Sequence, residues 1–198
     1  VVSAFLDLMF GERGFETLSH YYSNSQMIQQ EYFEYIFPKL QKGKVEHILN
    51  KQHYVILEGP PGTGKTRLAL QMLEEKFHGN GVSIQFHPNT TYENFIGGLS
   101  PTESQNEIGF NFKPKQGFLM DSIVQAQKDL SKPYLLHIDE INRADLGKVL
   151  GETIFLFESL DHGQRVINLP YNFGKPIYSK LTLPENLFIL GTMNSSDR

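Results

Sequence analysis

The chain has 198 residues with a formal net charge of −4, 39% hydrophobic and 12% aromatic side chains and no cysteine, which supports one well-buried core with extras. The missing thiols exclude disulfides and thiolate metal sites and fit a cytoplasmic protein, and the acidic balance gives no global attraction to nucleic acid or anionic membranes. No apolar run approaches the ~20 residues of a membrane span, so a soluble protein without membrane contact is expected.

Residues 1–25 show no periodicity, with Gly11 and Gly14 interrupting a weak apolar start. Ile28, Tyr32, Tyr35 and Ile36 recur at helical spacing up to Pro38, and Val45, Ile48 and Leu49 predict a second helix. Residues 1–50 thus read as an N-terminal helical extension ahead of a core over 51–198. Lys39, Lys42, Lys44 and Lys51 read as a solvated helix face, because no aromatic residues interleave with them as in single-strand nucleic-acid binding. The start at Val1 and the end at Arg198 read as those of a piece of something longer.

His53 to Glu58 is apolar and β-prone, and Leu68, Ala69, Met72, Leu73 and Phe77 follow at helical spacing. Between them Gly59, Pro60, Pro61, Gly62, Thr63, Gly64, Lys65 and Thr66 match the phosphate-loop pattern GxxxxGK[ST], with Arg67 next in line. The glycines let backbone N–H groups wrap a polyanion, and the helix that follows offers unpaired N–H groups to the same phosphates. Lys65 is expected to reach the β and γ phosphates as a point charge, and the Thr66 hydroxyl to ligate Mg²⁺.

Val82 to His87 predicts a second strand, and Thr91 is placed to cap a short helix after it. Pro101 to Gln116, with Phe110 and Phe112 alternating with Asn111, reads as a small inserted hairpin. A helix then carries Leu119, Ile123, Ala126 and Leu130 on one face, and Tyr134 to Ile138 is the third strand. Asp139 and Glu140 end that strand, on the rim where open parallel sheets bind ligands. Asp139 suits Mg²⁺, and Glu140 suits the orientation or deprotonation of a water against the γ phosphate. Leu146, Val149, Leu150, Thr153, Ile154 and Phe157 predict one amphipathic core helix capped by Asp145. Val166 to Tyr171 and Lys175 to Tyr178 read as a second hairpin, and Leu187 to Thr192 as the last strand. Asn194 beyond it offers an amide for both the γ phosphate and the attacking water. The seven histidines show no HExxH spacing and no GxSxG occurs, so zinc-protease and triad chemistry have no anchor.

Four segments taken together, GPPGTGKT, FHPNTTYENFIGGLSP, HIDEINRAD and GTMNSSDR, resemble the AAA+ family of McrB-type NTPases over about Tyr54 to Arg198. In that family the first is Walker A, the third Walker B and the fourth sensor 1, here with Ser195 and Ser196 in place of the usual Thr and Ala. The resemblance implies an α/β P-loop large domain: a parallel five-stranded sheet between helices, two inserted β-hairpins, truncation after sensor 1 and no small lid domain. It assigns Lys65, Glu140 and Asn194 to catalysis, Gly59 to Arg67 to the nucleotide, and Thr66 and Asp139 to Mg²⁺. It further implies GTP or ATP as substrate, a homo-oligomeric ring, usually a hexamer, and a McrC-like endonuclease partner acting on modified DNA. MoxR-like and dynein-related relatives instead use ATP to remodel proteins, and a nucleotide-gated scaffold with little turnover is the other alternative. Arg143 and Arg198 are candidates to point across a subunit boundary.

Overall fold

The computed structural model describes residues 42–103, 110–158 and 165–195. The helix expected around Ile28 to Ile36 lies outside the described residues, as do Lys39, Gly109, Ser196, Asp197 and Arg198. Helix α1 (Lys42–Gln52) leads into strand β1 (Tyr54–Gly59) and helix α2 (Lys65–Glu75), followed by β2 (Gly81–Gln85) and the four-residue α3 (Tyr92–Phe95). A hairpin of β3 (Gly97–Glu103) and β4 (Phe110–Gln116) precedes α4 (Phe118–Gln127) and β5 (Tyr134–Asp139). The short α5 (Leu146–Leu150), a 3₁₀ stretch (Gly151–Phe157), the two-residue strands β6 (Ile167–Asn168) and β7 (Lys180–Leu181), and β8 (Leu187–Asn194) complete the described chain.

The main sheet is parallel with order β1-β8-β5-β2. These are the four strands read from the residues; the fifth implied by the family resemblance is not among the described residues. Strands buried on both faces divide their side chains between two cores. Leu57, Leu135 and Leu190 face α1 and α2, where they meet Val45, Leu49, Leu68, Ala69, Met72 and Phe77. Leu136, Ile138, Leu187 and Ile189 face the opposite layer, where they meet Phe95, Leu119, Ile123 and Val149. Each fully buried side chain of this kind stabilises by about 1.5–3 kcal/mol, so packing on two faces fixes the register of the central strands β5 and β8. Helix α3, too short to persist alone, is held by burial of Phe95 and by a reciprocal cap: Thr91 accepts from Asn94 N–H, and the Asn94 side chain accepts from Thr91 N–H.

Several expectations change. The single helix drawn over Leu146 to Phe157 is two pieces, because Gly151 adopts φ 48, ψ −133, a conformation costly for other residues. The Tyr92 ring lies 3.2 Å from where a Cβ on Gly151 would stand. The break turns Ile154 out to 58% exposure, so it is not core, whereas Thr153 and Leu156 are buried. Helix α4 ends at Gln127, leaving Leu130 67% exposed, and Ile48 of α1 is exposed beside buried Val45 and Leu49. The first hairpin begins at Gly97 rather than Pro101. The second pairs Ile167 with Leu181 and Asn168 with Lys180, while Lys175 to Tyr178 forms its turn, closed by Phe173 N–H to Tyr178 O and Tyr178 N–H to Gly174 O. Among the described residues no helix is long and apolar enough to cross a membrane.

Candidate functional site

Three strand ends meet on one rim. Gly59 at the end of β1 is paired with Asn194 of β8, and Ile138 of β5 with Gly191, so Asp139 emerges beside Thr192. Parallel pairing is what aligns these carboxyl ends, because each crossover returns the chain to the far edge before the next strand begins.

The loop from Gly59 to Thr66 turns on Gly62 and Gly64, at φ +80 and +85, in the region where a Cβ is disfavoured. Gly64 offers no side chain to cap α2, so the first N–H groups of that helix remain directed into the loop. Thr63 Oγ1 donates to Pro60 O at 2.9 Å, which tightens the bend. Lys65 is only 6% exposed, and its Nζ donates to Gly59 O at 2.9 Å, Pro60 O at 2.7 Å and Asn194 Oδ1 at 3.1 Å. An anion entering the loop therefore meets a cation already desolvated and fixed in place. Pro61, Gly62, Gly64 and Arg67 line the same cleft of about 330 Å³, opposite Asp139, Glu140 and Asn194.

The acids are held differently. Asp139 Oδ1 accepts from Thr66 Oγ1 at 2.9 Å and from Thr192 Oγ1. Glu140 sits in the left-handed region, φ 50 and ψ 46, where a non-glycine residue stores roughly 1–3 kcal/mol of strain and where functional residues gather. Its Oε1 lies 3.5 Å from Asn194 Nδ2 and its Oε2 pairs with Arg143 Nε, so Arg143 engages this chain's own acid. Asn142 Nδ2 donates to Asn194 O at 3.2 Å and Ser195 N–H to Gly59 O at 3.2 Å, tying the end of β8 to the turn that follows Glu140 and to β1.

The donor set fits Mg²⁺. That ion favours a hydroxyl, one or two carboxylates, phosphate oxygens and retained waters over an all-protein cage, and Thr66 and Asp139 supply the hard oxygens side by side. No cluster of three or more His, Cys, Asp or Glu able to cage a metal occurs among the described residues.

The residues from Gly59 to Arg67, with Asp139, Glu140 and Asn194, thus fall on one cleft or in the loop that bounds it, whereas Arg143 does not line it and Arg198 lies outside the described residues; Thr192 and Met193 line the cleft too, and His137 is buried on the strand face of Asp139. Thr192 is buried and holds Asp139; its only sequence signal is its place two residues before Asn194, on the same strand face. His137, fully buried two residues before Asp139 on the same face, shares a 2.8 Å hydrogen bond between Nδ1 and Ser83 Oγ. Burial holds its pKa below the usual value, opposed by the Asp139 charge, so at neutral pH it adds no cation behind the site. Met193 lines the cleft beside Asn194.

A family model described as an AAA domain of the dynein-related subfamily matches residues 54–198. The chain is 38% identical over 148 residues to the type IV methyl-directed restriction enzyme EcoKMcrB subunit of Escherichia coli K12, covering 73% of this chain and 31% of that protein. It is 29% identical over 176 residues to the type II restriction enzyme BsuMI component YdiS of Bacillus subtilis 168, covering 72% of this chain and 51% of that one. The chain therefore spans about a third of the length of the first of these relatives and about half of the second.

Proposed function

The chain belongs to the dynein-related subfamily of AAA domains, and from that premise we propose that it binds and hydrolyses GTP or ATP with Mg²⁺ as the motor subunit of a McrBC-like restriction system acting on modified DNA. The observation that carries the chemistry is the meeting of Lys65, Thr66, Asp139, Glu140 and Asn194, drawn from three segments far apart in sequence, around one cleft. Lys65 and the loop amides bind the phosphates and favour the charge that builds on them. Thr66 and Asp139 would hold Mg²⁺, which would supply charge neutralisation to the phosphates. Glu140 accepts a proton from the attacking water, and Asn194 orients that water while its Oδ1 steadies Lys65. Both relatives are named as restriction-enzyme components, which supports the restriction setting; the hexameric ring and the McrC-like endonuclease partner belong to the proposal as what the family resemblance implies. Residues 51–198 are the hydrolytic core in this reading, and 1–50 a helical extension.

The test is equilibrium binding of fluorescent GTP and ATP analogues with and without Mg²⁺, followed by phosphate release. Mg²⁺-dependent binding of at least one is expected, and no uptake of either at millimolar concentration defeats the proposal. The subfamily's dynein-related description favours a second reading, a protein-remodelling ATPase. Turnover stimulated by methylated DNA in the full-length assembly supports the first reading; turnover stimulated by protein and not by DNA supports the second.

A further inference from the structure

We propose that Thr192 is a positioning residue for the metal-binding carboxylate, its hydroxyl fixing the rotation of Asp139 so that the second oxygen stays available to the cation. The inference rests on the Mg-nucleotide reading and goes beyond it by placing a residue outside the phosphate loop and the acidic pair in control of cation affinity.

Thr192 is 1% exposed and stands beside Asp139 because β8 pairs with β5 in the register Ile138 to Gly191. A buried threonine in a strand has only its hydroxyl to satisfy, and here the acceptor is a carboxylate at the rim rather than a backbone carbonyl. Thr66 Oγ1 reaches the same Oδ1 from the opposite element. Two hydroxyls on one oxygen resist rotation about the Cβ–Cγ bond, since turning the carboxylate breaks both hydrogen bonds. Oδ2 is thereby left to the cleft that Asp139 lines. Groups that orient a metal-binding carboxylate in this way are worth about 10- to 100-fold in metal affinity. Thr192 also shares its strand face with Asn194, so a single strand sets the carboxylate on one side of the cleft and contacts Lys65 on the other.

The experiment titrates Mg²⁺ against a fixed concentration of fluorescent GTP or ATP analogue and reads binding, with a parallel measurement in EDTA. Thr192→Val keeps the shape and deletes the donor; Thr192→Ser keeps the donor. Thr192→Val is expected to raise the Mg²⁺ midpoint about tenfold while binding in EDTA stays at the wild-type value, and Thr192→Ser is expected to restore the midpoint. A valine variant with the wild-type midpoint overturns the proposal, as does a serine variant as impaired as valine, or an equal loss in EDTA. If the valine chain does not fold, Thr192→Ala is compared with Thr192→Ser by the same criteria. Wild-type chain that takes up no nucleotide defeats the underlying reading instead, a result separate from any difference between variants.

Discussion

Replacing Glu140 with glutamine keeps the shape of the side chain and removes only its charge. In the structure Glu140 Oε1 lies 3.5 Å from Asn194 Nδ2, and Oε2 faces Arg143 Nε. A glutamine oxygen still accepts from Asn194, while its NH₂ opposes Arg143, so what is lost is one ion pair. The Arg143 side chain is 47% exposed and that of Glu140 19%, so the pair, open to water on the arginine side alone, is worth about 1 kcal/mol. Fold and nucleotide affinity should therefore stay close to wild type, within about threefold in binding, or 0.7 kcal/mol. A positioned general base is worth about 10²–10⁴ in rate, which is about 2.7–5.4 kcal/mol of barrier, several times the stability effect. Single-turnover hydrolysis by the full-length assembly, read beside equilibrium binding and a thermal melt, separates the two scales. Turnover within threefold of wild type with binding intact would falsify the role of Glu140 in proton transfer. Joint loss of binding and turnover would show that the carboxylate holds the site together rather than acting in it.

Three further outcomes are expected. Lys65→Ala removes the cation bonded to the loop carbonyls and Asn194, so nucleotide binding by fluorescence titration should fall at least about 100-fold, roughly 2.7 kcal/mol; affinity near wild type would dissociate Lys65 from phosphate recognition. A methyl on Gly81 would stand 2.2 Å from Leu135 O and 2.7 Å from Leu73 Cδ1, so Gly81→Ala should lower denaturation stability by about 1–3 kcal/mol or more, and an unchanged urea midpoint contradicts the contact. Asn186 Nδ2 reaches Ala126 O at 2.9 Å and Lys132 O at 2.7 Å, closing the end of α4; Asn186→Ala should cost about 1–3 kcal/mol with nucleotide affinity unaffected, and a melt superimposable on wild type counts against that closure.

What was legible in the sequence was legible for local reasons. The phosphate loop announces itself because only glycine tolerates φ near +80 at residues 62 and 64, and because the flanking strand and helix have opposite periodicities. Asp139 and Glu140 were readable once the strand before them was seen to end on the same rim. The Thr91 cap was readable because its partner, Asn94, lies three residues away. What escaped was set by distant partners. Leu146 to Phe157 has faultless helical spacing, yet the helix breaks at Gly151, whose φ of 48 is costly for other residues and where an added Cβ would stand 3.2 Å from the Tyr92 ring of another element. Lys175 to Tyr178 is β-prone, but Tyr178 takes a positive φ and returns the chain, so pairing shifts to Lys180 and Leu181. Thr192 looks like any β-branched strand residue until β5 is laid beside it. Periodicity says which way a side chain points, but not what will be there to meet it.

The strand order has a temporal consequence. β8 is the last described strand along the chain, yet it lies between β1 and β5. Until it inserts, the glycine-rich bend on one neighbour and the paired acids on the other have no common ladder, and the bond from Lys65 to Asn194 closes a separation of 129 residues. Contacts of such long span form late, because the entropy of closing the intervening chain is lost before they give any return. In a chain emerging from the ribosome, the phosphate loop and the two acids thus share no ladder until Leu187 to Asn194 pairs between β1 and β5.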